Sequence, residues 1–421
     1  MKNKVIDFIK NSPTAYHAID TVAKRLVAEG YAELSENSVW ELSAGGRYFT
    51  VRNGSSLIAF RTPTLKAPFM ICSTHSDSPA YKAKNSKDKS GYAVITTEKY
   101  GGLIMYSWFD RPLSVAGRVV LRTEDGIRTE LFDTKRPVGV IPSLAIHMNR
   151  SVNEGFAPAA TEMQPLFSLS GAKSLTDLIA STLSVKAEDI LAHDLILYNG
   201  ECGSTFGAED ELLLCPRLDD LSCVSASLEA FLDARASDAI PVLAVFDNEE
   251  VGSSTKQGAA STFLFDILSR IIPNPSEYKA ALADSFMVSA DNAHAKHPNR
   301  PELSDPDNAP ILGGGVVIKH NANQRYATDA VSDAIFKTVC ERAGVKTQSF
   351  YNRPDLLGGS TLGSIADTKV SVPTVDIGIA QLAMHSASET LALSDLAAMK
   401  DALCEFYSTA LEAKDGKILI K

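Results

Sequence analysis

Apolar positions along this chain change their spacing several times. Val5, Ile6, Phe8 and Ile9 recur at helical intervals, and Thr14 stands as an N-cap before AYHAIDTVAKRLVAEG, which Gly30 closes. RYFTVRN, SLIAFRT and APFMICSTH (67–75) then read as strands. From about residue 80 to 210 come short segments rich in β-branched and aromatic residues: AVITTEKY, GLIMYSWF, RVVLRTE, IRTELFD and VGVIPSLAIHM. Asp125-Gly126 marks a hairpin turn there, and helical periodicity returns only at SLTDLIASTLSV. Beyond 210 helices and strands alternate. DDLSCVSASLEAFLDA sets Leu221, Val224, Leu228 and Phe231 on one helical face, and TDAVSDAIFKTVCERAG is a capped helix with Gly344 just past its end. PVLAVF, FMVSADN, GGGVVIKH and SVPTVDIGIAQLAM read as strands.

This alternation predicts an α/β fold, a mainly parallel sheet flanked by helices. One domain is split in two parts, 1–80 and 211–421, around an inserted β-rich domain, 81–210. No repeat or low-complexity tract interrupts the pattern. The length of 421 residues accommodates both, and 45% hydrophobic with 22% charged residues is ordinary for a soluble globular chain. A net charge of −10 without any Lys/Arg run argues against nucleic-acid binding. The cysteines at 72, 202, 215, 223, 340 and 404 show no paired spacing, which disfavours a disulfide framework or a Cys-rich zinc site. Asp7 interrupts any signal-peptide core, and no stretch approaches the roughly 18 apolar residues of a membrane span. The expectation is a reducing, cytoplasmic protein with no membrane partner.

Chemistry gathers where strands end. FMICSTHSDSP presents His75 and Asp77, PVLAVFDNEE presents Glu249 and Glu250, FMVSADNAHAKHPN presents Asp291, His294 and His297, and TVDIGIAQLAMHS runs on to His385. PRLDD puts Asp219 and Asp220 at a helix start. Open parallel sheets bind ligands beyond the carboxyl ends of their strands, so these distant groups can converge. Mixed histidine and carboxylate donors suit zinc, with cobalt or manganese as alternatives, better than calcium or magnesium. Two histidines and three carboxylates can hold two ions roughly 3.5–4 Å apart if one carboxylate bridges them. Of two adjacent glutamates, one can then ligate while the other handles protons. Singly, each piece has a plainer explanation: a helix cap for Asp219 and Asp220, a satisfied core histidine for His75, a helix end for His294 and His297. Their joint occurrence at strand ends is what points to a metal site.

At these residues the sequence resembles the aspartyl aminopeptidase family of dizinc metallopeptidases. The matching segments are THSDSP (74–79), IPSLAIHMNR (141–150), PRLDDL (216–221), DNEEVGS (247–253), SADNAHAKHPN (289–299), VIKHNANQRYATDAVS (317–332) and QLAMHS (381–386), in the family's order. The resemblance implies a zinc-exopeptidase-like catalytic domain with one zinc held by His75 and Asp291, another by Glu250 and His385, and Asp219 bridging. It makes Asp77 the carboxylate that orients His75, and Glu249 the general base. His294, Lys319 and Tyr326 would line the substrate pocket, with His147 arriving from the insertion of a neighbouring subunit. Lys319 would meet an acidic first side chain. The insertion would be a dimerisation domain, and dimers would assemble into a tetrahedral dodecamer.

The implied reaction is removal of N-terminal, preferably acidic, residues from peptides. The alternatives are a dizinc deacylase acting on a small N-acylated substrate, or a scaffold whose metals only hold the fold. Three departures stand out: Asp220 replaces the family's usual Asn, MHSASE replaces MHSIRE, and GGSTLGS (358–364) varies a glycine-threonine turn. None removes an expected zinc ligand.

Overall fold

The computed structural model describes residues 1–356 and 358–421. Its centre is a nine-stranded sheet whose four middle strands, Ile240–Phe246, Phe69–His75, Phe286–Ala290 and Thr374–Gly378, lie side by side and parallel. Every residue of these four strands is buried, as a parallel strand covered on both faces requires. The flanks are mixed: Ser56–Thr62 and Val316–His320 each join the middle antiparallel.

The period-two alternation of side chains divides two cores. Met70, Cys72, Leu243 and Val245 face one side, with the helices Leu218–Asp233, Ala330–Arg342 and Leu393–Tyr407 and the two N-terminal helices. Phe69, Ile71, Val242, Ala244 and Phe246 face the other, against the helices Phe263–Ile271 and Pro275–Ala283. Caps end these helices where expected. The Thr14 hydroxyl accepts from the His17 N–H, Gly30 and Gly344 take positive φ beyond their helices, and the Asp329 carboxylate accepts from Val331 and Ser332.

A second, six-stranded antiparallel sheet is built from residues between Ala80 and Asn199, plus the capped helix Leu175–Leu183 packed on it. The Gly126 hairpin forms with Thr123 opposite Gly126. Two expected strands there take other forms. Within GLIMYSWF, Met105–Trp108 makes a short 3-10 turn whose Trp108 plugs the core beneath this six-stranded sheet. VGVIPSLAIHM pairs only by single bridges up to Ile141, and its remainder is an exposed loop.

A small third sheet orders Ser204–Phe206, Leu212–Cys215, Glu389–Ala392, Ala380–Leu382 and Ala293–His294. It draws the chain around 215, 389, 381 and 293 together at the carboxyl edge of the central sheet. Among the described residues no helix is long and apolar enough to cross a membrane.

Candidate metal centre

Because the four middle strands are parallel and in register, their carboxyl ends deliver polar groups to one edge. Phe246 lies opposite His75, and Ser289 opposite Ser73, which sets Asp291 level with His75. After Phe246, Asn248 takes a left-handed φ of 63°, turning the chain so that Glu249 and Glu250 come back over the strand ends. The helix Leu218–Asp233 opens with Asp219 and Asp220 in non-helical conformation. Their carboxylates are therefore buried in the site rather than serving as an N-cap.

The donors meet pairwise. His75 Nε2 lies 3.5 Å from Asp219 Oδ1 and 3.7 Å from Asp291 Oδ1. His385 Nε2 lies 3.5 Å from Asp219 Oδ2 and 3.4 Å from Glu250 Oε2. Asp219 thus turns one oxygen to each histidine. Four ligands at zinc–donor bonds of 2.0–2.1 Å in a tetrahedron stand about 3.3–3.4 Å apart, so this spacing suits zinc. Donor atoms of His75, Asp219, Asp220 and Asp291, of His75, Glu249 and Glu250, and of Asp219, Glu250 and His385 form three clusters within 4.8 Å. Asp219 Oδ1, Asp220 Oδ1 and Glu250 Oε1 are buried without any hydrogen-bond partner. Buried acceptors crowded in this way want a cation, and the donor set fits zinc.

Electrostatics carry the same message. Burial opposes charge on His75, but Asp219, Asp291 and Asp77 outweigh it and hold its pKa well above the ordinary range. His385 is raised to about 10, Asp219 outweighing burial. Glu249 is pushed up to about 8 by burial, which His75 only partly offsets. Glu250 rises by burial and the nearby Asp219. These buried carboxylates and histidines together favour positive charge at their centre.

Supporting groups fix these donors. His75 Nδ1 is 3.1 Å from the Asp77 backbone carbonyl and 3.4 Å from its carboxylate, so the carbonyl is the nearer acceptor for the ring N–H. The Asp77 carboxylate instead accepts from the Glu249 and Glu250 N–H groups at 3.1 and 3.2 Å and from the Tyr100 hydroxyl at 2.6 Å. It orients the glutamate turn as much as the imidazole. Glu389 is buried and accepts from the Asp219 N–H at 2.9 Å and the His385 N–H at 2.7 Å. Burial and Asp219 push its pKa up to about 8 against these two bonds. On the other ring nitrogen, His385 Nδ1 donates to the Gly102 carbonyl at 2.8 Å.

Beside the cluster, Lys319 is buried with its ammonium 3.3 Å from Asp291 Oδ2, 2.9 Å from the Asn292 carbonyl and 5.5 Å above the Tyr326 ring. Burial disfavours that charge, yet Asp291 holds its pKa up. Tyr326 and His294 both pack edge-on to Phe350, His294 being exposed at the end of the short strand Ala293–His294. Asp376 anchors this wall: its buried carboxylate accepts from the Ala327 N–H and the Thr361 hydroxyl. His147 sits elsewhere, on the exposed loop after Ile141, with no hydrogen bond to the cluster among the described residues. His297 is exposed in a loop, not at a helix end. A cavity of about 310 Å³ touches Asp77 and Asp219 and runs towards Ser12–Tyr16, Arg118 and Asp194; Lys319 and Tyr326 do not line it.

Tyr100, Gly102, Glu389 and Asp376 escape sequence reading. Glu389, at a strand start four residues past His385, carried the one available signal. A carbonyl such as Gly102's carries none.

Comparison with known proteins gives a consistent result. The family model described as "Aminopeptidase I zinc metalloprotease (M18)" matches residues 8–407. A probable M18 family aminopeptidase 2 of Clostridium acetobutylicum is 43% identical, over 96% of this chain and 98% of its own. Among solved structures, that of Ape4 in complex with Nbr1 superposes with a TM-score of 0.93 at 35% identity, covering 96% of this chain and 84% of the other. The S. cerevisiae mApe1 dodecamer superposes at 0.84 and 28% identity, covering 96% and 95%.

Proposed function

This chain belongs to the M18 family of zinc aminopeptidases, and on that premise we propose that it removes N-terminal residues, acidic ones by preference, from peptides with a two-zinc centre. His75 and Asp291 would hold one ion, Glu250 and His385 the other, and Asp219 both. The observation that carries this reading is the orientation of Asp219, one oxygen to each histidine. When bound, zinc supplies Lewis acidity that polarises the scissile carbonyl and acidifies the attacking water.

The chain's own groups do the rest. Glu249 takes the proton from the attacking water and delivers it to the leaving amine; burial, which raises its pKa, suits it to both tasks near neutral pH. Asp77 holds Glu249 in place through the backbone. Lys319, shared with Asp291, brings positive charge to the wall where the first side chain would sit, beside His294 and Tyr326. The likeness to the mApe1 dodecamer supports a homo-oligomer. The exposed Leu144, Ile146 and Met148 around His147 support a contact surface on that loop, through which His147 would reach a neighbour's site. The tetrahedral arrangement and a cytoplasmic setting rest on the family resemblance and the unpaired cysteines.

The test joins zinc analysis to a scan of peptide substrates differing at the first residue, with Glu249→Gln alongside. Two zinc ions per chain, preferential release of Asp and Glu, and a loss of roughly 100- to 10,000-fold in turnover with zinc retained are expected. Cleavage only of N-acylated substrates, or full turnover by Glu249→Gln, would refute the reading.

A further inference from the structure

We propose that the segment Tyr100–Ser107, although it leads out of the second sheet, is a fixed part of the metal centre in its own chain, with Tyr100 and Gly102 as positioning residues. The inference rests on the reading of His385 as a metal ligand. Two loops that supply donors come from different sheets, 247–250 from the end of the central strand Ile240–Phe246 and 383–387 from between Ala380–Leu382 and Glu389–Ala392 of the third sheet, and this one segment is bonded to both.

Its contacts with the His385 loop are threefold. The Gly102 carbonyl accepts the Nδ1 proton at 2.8 Å, which fixes the tautomer and leaves the Nε2 lone pair facing Asp219 and Glu250. The Ile104 N–H donates to the His385 carbonyl at 3.1 Å, and the Ala387 N–H donates to the Ser107 hydroxyl at 2.9 Å. His385 itself holds a left-handed φ of 67°, a conformation that a non-glycine residue keeps only when its surroundings dictate it. Towards the glutamate turn, the Tyr100 hydroxyl donates to Asp77 at 2.6 Å and accepts from the Asn248 side-chain amide at 2.9 Å. Asp77 in turn holds the Glu249 and Glu250 N–H groups.

The glycines show how close this approach is. A Cβ on Gly101 would stand 3.2 Å from Glu250 Cβ, and one on Gly102 would stand 3.3 Å from His385 Nδ1. Gly102 lacks a positive φ, so alanine is tolerated by its backbone and the imidazole alone must yield. A side chain at either glycine would press on a donor residue, while the Gly102 carbonyl orients the His385 ring.

The experiment titrates metal-free full-length protein with zinc against a chromophoric chelator and with cobalt(II) followed by its visible spectrum. Parent, Gly102→Ala, Tyr100→Phe and His385→Ala are compared, with thermal melts of the metal-free forms. Metal-free Gly102→Ala and Tyr100→Phe are expected to melt with the parent. They should bind the weaker zinc roughly 10- to 100-fold less tightly, the range for groups that orient metal ligands, and Gly102→Ala should alter the cobalt spectrum. Parent-like titrations and spectra for both, beside a deficient His385→Ala, would overturn this inference alone. Full metal binding by His385→Ala would overturn the ligand reading and this inference with it.

Discussion

Replacing Glu389 by glutamine tests the frame of the metal centre without touching a proposed ligand. Each Glu389 oxygen accepts one buried backbone N–H, from Asp219 at 2.9 Å and from His385 at 2.7 Å. Glutamine keeps one acceptor and turns an NH2 group against the other N–H, so one donor is left unpaired whichever way the amide lies. A buried donor left without an acceptor costs about 1–3 kcal/mol. Glu389 itself is 2% exposed, so little solvent reaches these bonds to repair the loss. A deficit of about 2 kcal/mol falls on the backbone of the bridging Asp219 or of His385, and corresponds to roughly 30-fold in an equilibrium constant. Chelator competition should therefore show zinc bound roughly 10- to 100-fold more weakly in Glu389→Gln, with turnover recovered at high zinc. Zinc retention and thermal unfolding indistinguishable from the parent would refute the argument that these two bonds hold the donors in place.

Two further outcomes follow from charge. In metal-free protein His75 and His385 titrate above the ordinary histidine range, His385 near 10, so at pH 7 both carry protons that zinc must displace. Calorimetric titration with zinc in buffers of different ionisation enthalpy should show proton release that declines as pH rises towards 10, and a buffer-independent heat would contradict it. Within the second sheet Asp194 pairs with Arg118 at 2.9 Å and Lys82 at 3.1 Å, and it reaches the second helix by accepting from the Tyr16 hydroxyl at 3.3 Å. Burial opposes its ionisation, but Arg118 and Lys82 outweigh it and depress the pKa, so its contribution is present above the unfolded carboxylate pKa and lost as pH falls through the folded one. Asp194→Asn should lower stability at neutral pH and flatten the acid limb of a denaturation profile, and parallel profiles for both proteins would contradict the assignment.

What could be read from sequence followed from side-chain type. Apolar runs such as Ile240–Phe246 declare buried strands, Thr14 and Gly344 declare helix ends, and the polar groups after each run mark the edge where donors meet. The strand Ala80–Lys89 escaped because its side chains are mostly Lys, Asn, Ser and Asp, facing solvent over much of its length. GLIMYSWF misled because its apolar residues fill a core from a turn rather than from a strand. Gly102 was invisible for a deeper reason: its role depends on a backbone carbonyl, which every sequence possesses everywhere, whereas Glu389 offered a carboxylate at a strand start and nothing to show that it would meet two amide hydrogens.

The order of donors along the chain has a consequence for biosynthesis. His75 emerges early and Asp291 more than two hundred positions later, while His385 arrives only after the last central strand. Closing a loop of that length costs about 4–5 kcal/mol of chain entropy, which no local contact near His75 repays. A nascent polypeptide therefore exposes its early histidine and aspartates with nothing to grip, and the ion becomes a seal set on a topology already finished. Metal uptake timed against translation would mark the moment at which the final strand inserts.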